Sequence, residues 1–441
     1  MATNFMQLII CLFAGIAIIV LLTARFHVHA FFALLIACFV VGLGVQMPFA
    51  VIMDAVKDGF GNIMRSLGLI IVLGTALGVI LEHTGSTSVL ASFILKLVGE
   101  KNAALAMSIT GFIVGMPIFC DSGFIVLNGI NKSLAKRAGI SVAITSVALA
   151  TGLLSVHCLI PPHPGASSAA GIIGVDMGKL ISVGTLAALP AMIIGNLWAK
   201  YAGKRTEFIA AEEEIIREAI TKPPSVIKAF LPVIVPIILI AAKSFLTVEK
   251  STAGWLNFFS VLGEPAIALA IGVLLAFNCS RNWTKATVSK QLQESAEKAG
   301  GILVIIGAGG AFGAVLAATK IGEQFSAVLP LNALGILFPF LITLILKTAQ
   351  GSSTVAIITA ASILQPLLTA LGLETDKGKL LCVLAMGAGS MIISHANDAY
   401  FWVIAKFAGI NTKTMLKMYS TATLLMGLIT LLTVYLLSLI I

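Results

Sequence analysis

Five uninterrupted uncharged windows dominate the polarity pattern of the chain: Met1–Ala24, Phe26–Met53, Ala299–Thr319, Gln324–Leu346 and Met418–Ile441. Each is long enough to carry a helix across a hydrocarbon core, which takes about 20 residues. None of them alternates apolar and polar residues as a barrel strand does over about 10 positions, so the pattern predicts helices rather than a β-barrel. With the shorter apolar runs added, roughly ten to fourteen membrane segments are expected. The predicted fold is an all-α polytopic membrane protein.

Composition agrees, at 59% hydrophobic and 11% charged residues with a mean hydropathy of +1.06, against about 25% charged in a soluble domain. The first window lacks a basic start and a small-residue cleavage site, so it reads as a retained helix. The net charge of +9 comes from Lys and Arg spread over short connections. That suits loops beside anionic lipid and argues against nucleic acid as a partner. The six cysteines show no paired spacing, and neither a disulfide, a metal nor a cofactor is expected.

The stretch "LGTALGVILEHTG" from Leu73 has a counterpart in "AGGAFGAVLAATK" at a shift of 235 residues, which sets Gly74 and Gly78 on Gly309 and Gly313. The same shift sets Gly152 and Ser155 on Gly387 and Ser390, Gly174 on Gly409, and Ile160–Pro164 on His395–Ala399. Two inverted repeats are therefore expected. Scaffold helices occupy 1–48 and 229–280. Amphipathic arm helices lying along the interface occupy 49–66 and 281–299. Two longer transport units with interrupted helices occupy 67–200 and 300–441. A polar loop, 201–228, joins the halves.

Four polar breaks interrupt the apolar runs: "GMPIFCDSGFIVLNG", "SVHCLIPPHPG", "GSSTVAIITA" and "SMIISHANDAYFW". The prolines of the second, Pro161, Pro162 and Pro164, end the helix begun near Ser141. Irregular backbone at membrane depth is tolerated only inside protein or beside a wet cavity. Corresponding breaks in two halves are the best sequence pointer to a transporter's binding site. Half-helices starting at Ser122, Gly165, Ser352 and Asn397 point free N–H groups at that cavity, an arrangement that attracts an anion. Ser122, Ser352, Ser353, Thr354 and Asn397 add neutral donors for carboxylate and hydroxyl oxygens.

An ionised Asp at the centre of a membrane helix costs about 2.5–3.5 kcal/mol. Asp398, beside His395 and Asn397, is accordingly the candidate proton carrier, with Asp121 sharing that role or binding a substrate hydroxyl. Both aspartates can instead be helix caps, and His157, His163 and His395 can be neutral imidazoles packed in the bundle. The glycines at 74, 78, 307, 309, 310 and 313 read as close helix packing, since no Walker lysine accompanies them. No nucleophile elbow or zincin motif supports a membrane-embedded enzyme.

The pieces "SVHCLIPPHPG", "GSSTVAIITA" and "SMIISHANDAYFW", in that order, resemble the gluconate permeases of bacteria, a family that includes carriers for D-serine and related hydroxy acids, within the wider ion-transporter superfamily. The resemblance implies a secondary transporter of the bacterial inner membrane, importing a small sugar acid or hydroxy acid by proton symport with elevator-type alternating access. The alternatives are sodium coupling for a related carboxylate or D-serine, and an anion channel. It implies paired re-entrant hairpins and broken helices in a transport domain that moves past a fixed scaffold, a homodimer in lipid, and a substrate site lined by Asp121, Ser122, His163, Gly165, Ser352, Ser353, Thr354, His395, Asn397 and Asp398. The chain departs from the family pattern at Asp121, where gluconate carriers have Glu, at Asn128, where they have Pro, and at Ala399–Tyr400, where they have Pro-Gly or another small pair.

Overall fold

The computed structural model describes residues 5–99, 102–206, 208–209, 223–246, 254–280, 283–321 and 333–440, and all regular structure among them is helical. Helices α1 (Phe5–Val20) and α2 (Ala30–Gly44) precede a long α3 (Phe49–His83). Then follow α4 (Ser86–Val98), α5 (Ala103–Gly115), α6 (Cys120–Ala138), α7 (Val142–Leu159), α8 (Pro164–Ile173) and α9 (Met177–Gly203). The second half contains α10 (Val226–Leu246), α11 (Gly254–Leu262), α12 (Pro265–Phe277) and a second long helix, α13 (Lys285–Ala318). It ends with α14 (Leu337–Gln350), α15 (Ser353–Leu364), α16 (Asp376–Met391), α17 (Ala399–Ala408) and α18 (Thr412–Ile440), the last with a π turn over Leu416–Ser420. By length and composition seven of the described spans can cross a membrane, and seven shorter apolar helices of 10–17 residues make up the rest of the apolar pattern.

The register of 235 carries from sequence into structure. It places α8 on α17 residue for residue, α2 on the start of α12, α3 on α13 to within one residue, α5 on α14, and the start of α9 on that of α18. Gly174 and Gly409, equivalent by the same shift, both close their short helices in the left-handed conformation, with φ of 80° and 68°. The α6 and α15 starts slip by two residues from the register.

The expected arms are corrected by the structure. Residues 49–66 form no separate helix but the first half of α3, and α13 likewise runs unbroken through residue 299. The reason is phase. In α3 a buried stripe at Ile52, Gly59, Ile63, Leu67, Ile71 and Gly74 passes through the proposed boundary at spacings of three, four and seven, so the charged half and the apolar half present one face to the same neighbour. That neighbour is α13, and theirs is the most extensive helix contact among the described residues. Gly59 abuts Gly310 there so closely that an added Cβ would sit 2.8 Å from Ala311 Cα, while Glu82 at the other end of α3 lies in the field of Lys298 and Glu294. The two helices therefore run antiparallel. In the linking region, α9 continues to Gly203 and α10 begins at Val226; residues 210–222 of the expected polar loop lie outside the described residues.

Packing between the halves is reciprocal. The short helix α8 of the first half lies on α15 of the second, and α17 of the second lies on α6 of the first. Helices α7 and α16, equivalent by the register, meet each other, so the four polar breaks are gathered around the ends of this central pair.

A candidate anion site at the four helix breaks

Each break folds for a local reason. Helix α7 stops at Leu159 because Pro161 and Pro162 cannot continue it, and Pro164, whose missing N–H is no loss at a first helical position, starts α8. Helix α14 stops where Gly351 turns to a φ of +83°. Ser352 then caps α15, its Oγ accepting from Val355 N at 3.3 Å. Asp398 caps α17, its Oδ1 accepting from Tyr400 N at 3.0 Å. The observed helix starts, Cys120, Pro164, Ser353 and Ala399, lie within two residues of those expected.

The charged centre of the site is a pair that sequence reasoning did not identify. Lys347, in the last turn of α14, is fully buried, and its Nζ donates to Asp398 Oδ2 at 2.9 Å and to Gly351 O at 2.7 Å. Ser394 Oγ donates to the same carboxylate oxygen. Deleting one partner of a buried pair costs about 3–5 kcal/mol because the other charge is stranded. The two partners are 51 residues apart, and a lysine after an apolar run reads in sequence as an end that reaches for the interface. The signal available was its position four residues before the Gly351 break.

The first half answers with a neutral network at the equivalent place. His163, the counterpart of Asp398 in the 235 register, caps the end of α5, its Nε2 lying 2.7 Å from Gly115 O. A carbonyl can only accept, so this Nε2 carries the hydrogen. With both rings neutral, His163 Nδ1 accepts from His157 Nδ1 at 3.3 Å, and His157 Nε2 accepts from the Thr354 hydroxyl at 3.3 Å. A directional chain thus runs from α15 of one half to α5 of the other. His157 therefore joins both halves.

The other expected residues divide into two groups. Asp121 and Ser122 are half-buried on the first turn of α6, and Asp121 lies in the field of the Asp398 charge. Thr354 is half-buried, and Gly165 brings α8 so near α15 that an added Cβ would lie 3.4 Å from Thr354 Cα. The second group is spent on structure. Ser353 Oγ donates to Ser390 O at 2.9 Å. His395 Nε2 and Asn397 Nδ2 bond Thr348 O at 3.2 and 2.8 Å, satisfying a carbonyl left over at the end of α14. Asn397 keeps an exposed position, and Ser352 a half-buried one, directly beside Asp398 and Gly351.

A crevice between α3, α9, α10 and α12 is lined by aliphatic side chains and prolines, among them Ile70, Met116, Pro162, Ile181 and Pro236. Lacking polar groups, it offers nothing to an anion. The breaks combine helix N-termini, hydroxyls, one buried cation and its counter-ion, a set that suits reversible binding of a small carboxylate.

Comparison with known proteins bears on the family and the fold. The chain is 34% identical to a gluconate permease of Pseudomonas aeruginosa, over 96% of each chain, and 31% identical to the D-serine transporter DsdX of Escherichia coli, over 98% of each. An uncharacterized permease of Haemophilus influenzae is 36% identical over 91% of this chain and 86% of its own. Among solved structures, the fold is similar to the Alcanivorax borkumensis YdaH transporter, with a TM-score of 0.60 at 17% identity, covering 88% of this chain and 87% of that one. It is similar also to Neisseria gonorrhoeae MtrF, with a TM-score of 0.64 at 16% identity, covering 87% and 83%. Residues 6–440 match the GntP family permease, and the chain belongs to that family of multi-pass membrane permeases.

Proposed function

We propose that this inner-membrane permease is a secondary active transporter that imports a small sugar acid or hydroxy acid of the gluconate type by proton symport, with Asp398 as the proton carrier. The observation that supports it most is the reciprocal packing of α8 on α15 and α17 on α6, which gathers the breaks of both halves around the buried Lys347–Asp398 pair. The antiparallel course of the equivalent helices α3 and α13 favours an inverted relation between the repeats. Elevator-type movement is favoured by the crevice. One wall comes from α10 and α12 and the rest from α3, α9 and the loops before α6 and α8, and the side chains that line it are all apolar, so sliding along it breaks no side-chain hydrogen bond within the crevice. A sodium ion in place of the proton would need backbone carbonyls at the breaks, and Gly351 O is already bonded to Lys347 Nζ.

The decisive measurement is uptake of radiolabelled gluconate, glycerate and D-serine into proteoliposomes under separate proton and sodium gradients. A proton gradient alone should drive accumulation of at least one of them. Asp398→Asn should insert normally yet fail to accumulate substrate, and full accumulation by that variant excludes the carboxylate as the carrier. Accumulation driven by sodium alone excludes proton coupling.

A further inference from the structure

We infer that Lys347 receives the carboxylate of the transported anion, and that the anion takes the place of Asp398, which leaves the pair by accepting a proton. The inference rests on the transport reading above and adds the step that ties the proton to the substrate. The pair at rest holds one ammonium and one carboxylate, both buried, with the Asp121 carboxylate in the field of Asp398. A second carboxylate brought into this space would leave an unmatched negative charge in a medium that penalises one heavily. If one proton from water joins Asp398 as the anion arrives, the ammonium exchanges one carboxylate for another and the net charge of the site does not change. One proton and one monoanion then travel together.

Four features of the geometry support the exchange. Gly351 O and Asp398 Oδ2 take two of the three N–H groups an ammonium offers, and Gly351 O holds the lysine in place whichever anion is bound. Ser394, whose hydroxyl donates to Asp398 Oδ2, can instead accept from the protonated acid, so it serves both states. Asn397, next to Asp398, is exposed, and Ser352, next to the Gly351 whose carbonyl holds Lys347, is half-buried with a hydroxyl free to donate, which gives an incoming anion a short path to the pair. In the other half, the register places His163, bonded to a carbonyl, where Asp398 stands, and Phe112 where Lys347 stands, so the ion pair belongs to one half of the pseudo-symmetric site.

The groups around Asp398 bear on the pH response. Cys120 and Asp121 face it from α6, His157 and Cys158 from α7, Tyr400 from its own helix and Tyr419 from the π turn of α18. Asp121 is the one other carboxylate in this set, and keeping it apart in the experiment requires a variant of its own.

The purified protein is titrated with gluconate, D-glycerate and D-serine by calorimetry at pH 6 and pH 8, in buffers of different ionisation enthalpy, which reports protons taken up per ligand bound. The wild type should bind at least one probe, take up about one proton per anion, and bind at least tenfold more tightly at pH 6 than at pH 8. Asp398→Asn should bind the same probe with no proton uptake and equal affinity at both pH values. Asp121→Asn should retain proton uptake. Lys347→Gln should lose affinity at least 100-fold. Because a stranded Asp398 can unfold that variant, the doubly neutral Lys347→Gln/Asp398→Asn protein is made as well, and it should stay folded but fail to bind. Binding by the double variant within threefold of the wild type overturns the role of Lys347, and continued proton uptake by Asp398→Asn overturns the exchange, in both cases with the transport reading intact. A folded wild type that binds none of the probes overturns the transport reading itself.

Discussion

Replacement of Gly351 by alanine probes the site through its backbone. Two separate costs arise. The residue has a φ of +83°, and placing a Cβ in the left-handed region costs about 1–2 kcal/mol. The added Cβ would also fall 2.6 Å from the carbonyl carbon of Asn397 and closer still to its oxygen. A rotamer change cannot relieve a clash with main chain, so the Gly351 and Asn397 segments must part. The bond from Lys347 Nζ to Asp398 Oδ2, 2.9 Å long, spans those two segments and stretches with them, at a further cost of about 1.5–3 kcal/mol for a charge-assisted bond. The sum is about 2.5–5 kcal/mol. Gly139→Ala is the control, since Gly139 has a φ of +65° and open space around its Cα; it incurs the backbone term alone, about 1–2 kcal/mol. Five of the six cysteines are buried and Cys11 is partly so, so a thiol-reactive fluorophore reports thermal unfolding in detergent. The Gly351 variant should melt well below the Gly139 variant. Equal melting temperatures would show that the Asn397 contact does not constrain the site.

Thr354→Val keeps the shape of the side chain but removes the donor to His157 Nε2. The buried ring nitrogen left without a partner should lower stability by about 1–3 kcal/mol in the same melting assay, and an unchanged melting temperature refutes the directional chain. Ser146→Ala strips the buried Asn131 amide of its partner at 2.7 Å and should cost a similar about 1–3 kcal/mol; a neutral result there means that water reaches the amide. Alanine at Ser352, Ser353 and Thr354 together should weaken substrate affinity at least tenfold, about 1.4 kcal/mol, measured by competition in proteoliposomes. Unchanged affinity places the site elsewhere.

Much of the architecture was legible in the sequence because it depends on local rules. Proline runs, a glycine break and a register of 235 located the ends of α7, α8, α14 and α17 to within a few residues. The arms were misread for want of a longer view: charge density changes at residue 66, but helical phase does not, and phase decides continuity. The site was legible in outline and misassigned in part. Ser353, His395 and Asn397 looked like donors waiting for a ligand, whereas tertiary contact gives each a backbone carbonyl. Lys347 went unnoticed because its partner is distant in sequence, and His157, read as a neutral imidazole packed in the bundle, could not be joined to Thr354 because a lone histidine in an apolar helix carries no sign of its neighbours.

The long antiparallel pair has a consequence for the lipid around it. At about 1.5 Å per residue α3 and α13 each measure about 50 Å, whereas the hydrocarbon layer is about 30 Å thick. Such rods fit by leaning, or by lifting their charged leading thirds clear of the acyl chains, one at each surface. Thickening or thinning the bilayer changes that lean, and since the two rods are clasped at Gly59 and Gly310, they must lean together, making the pair a strut whose angle records the depth of the membrane it stands in.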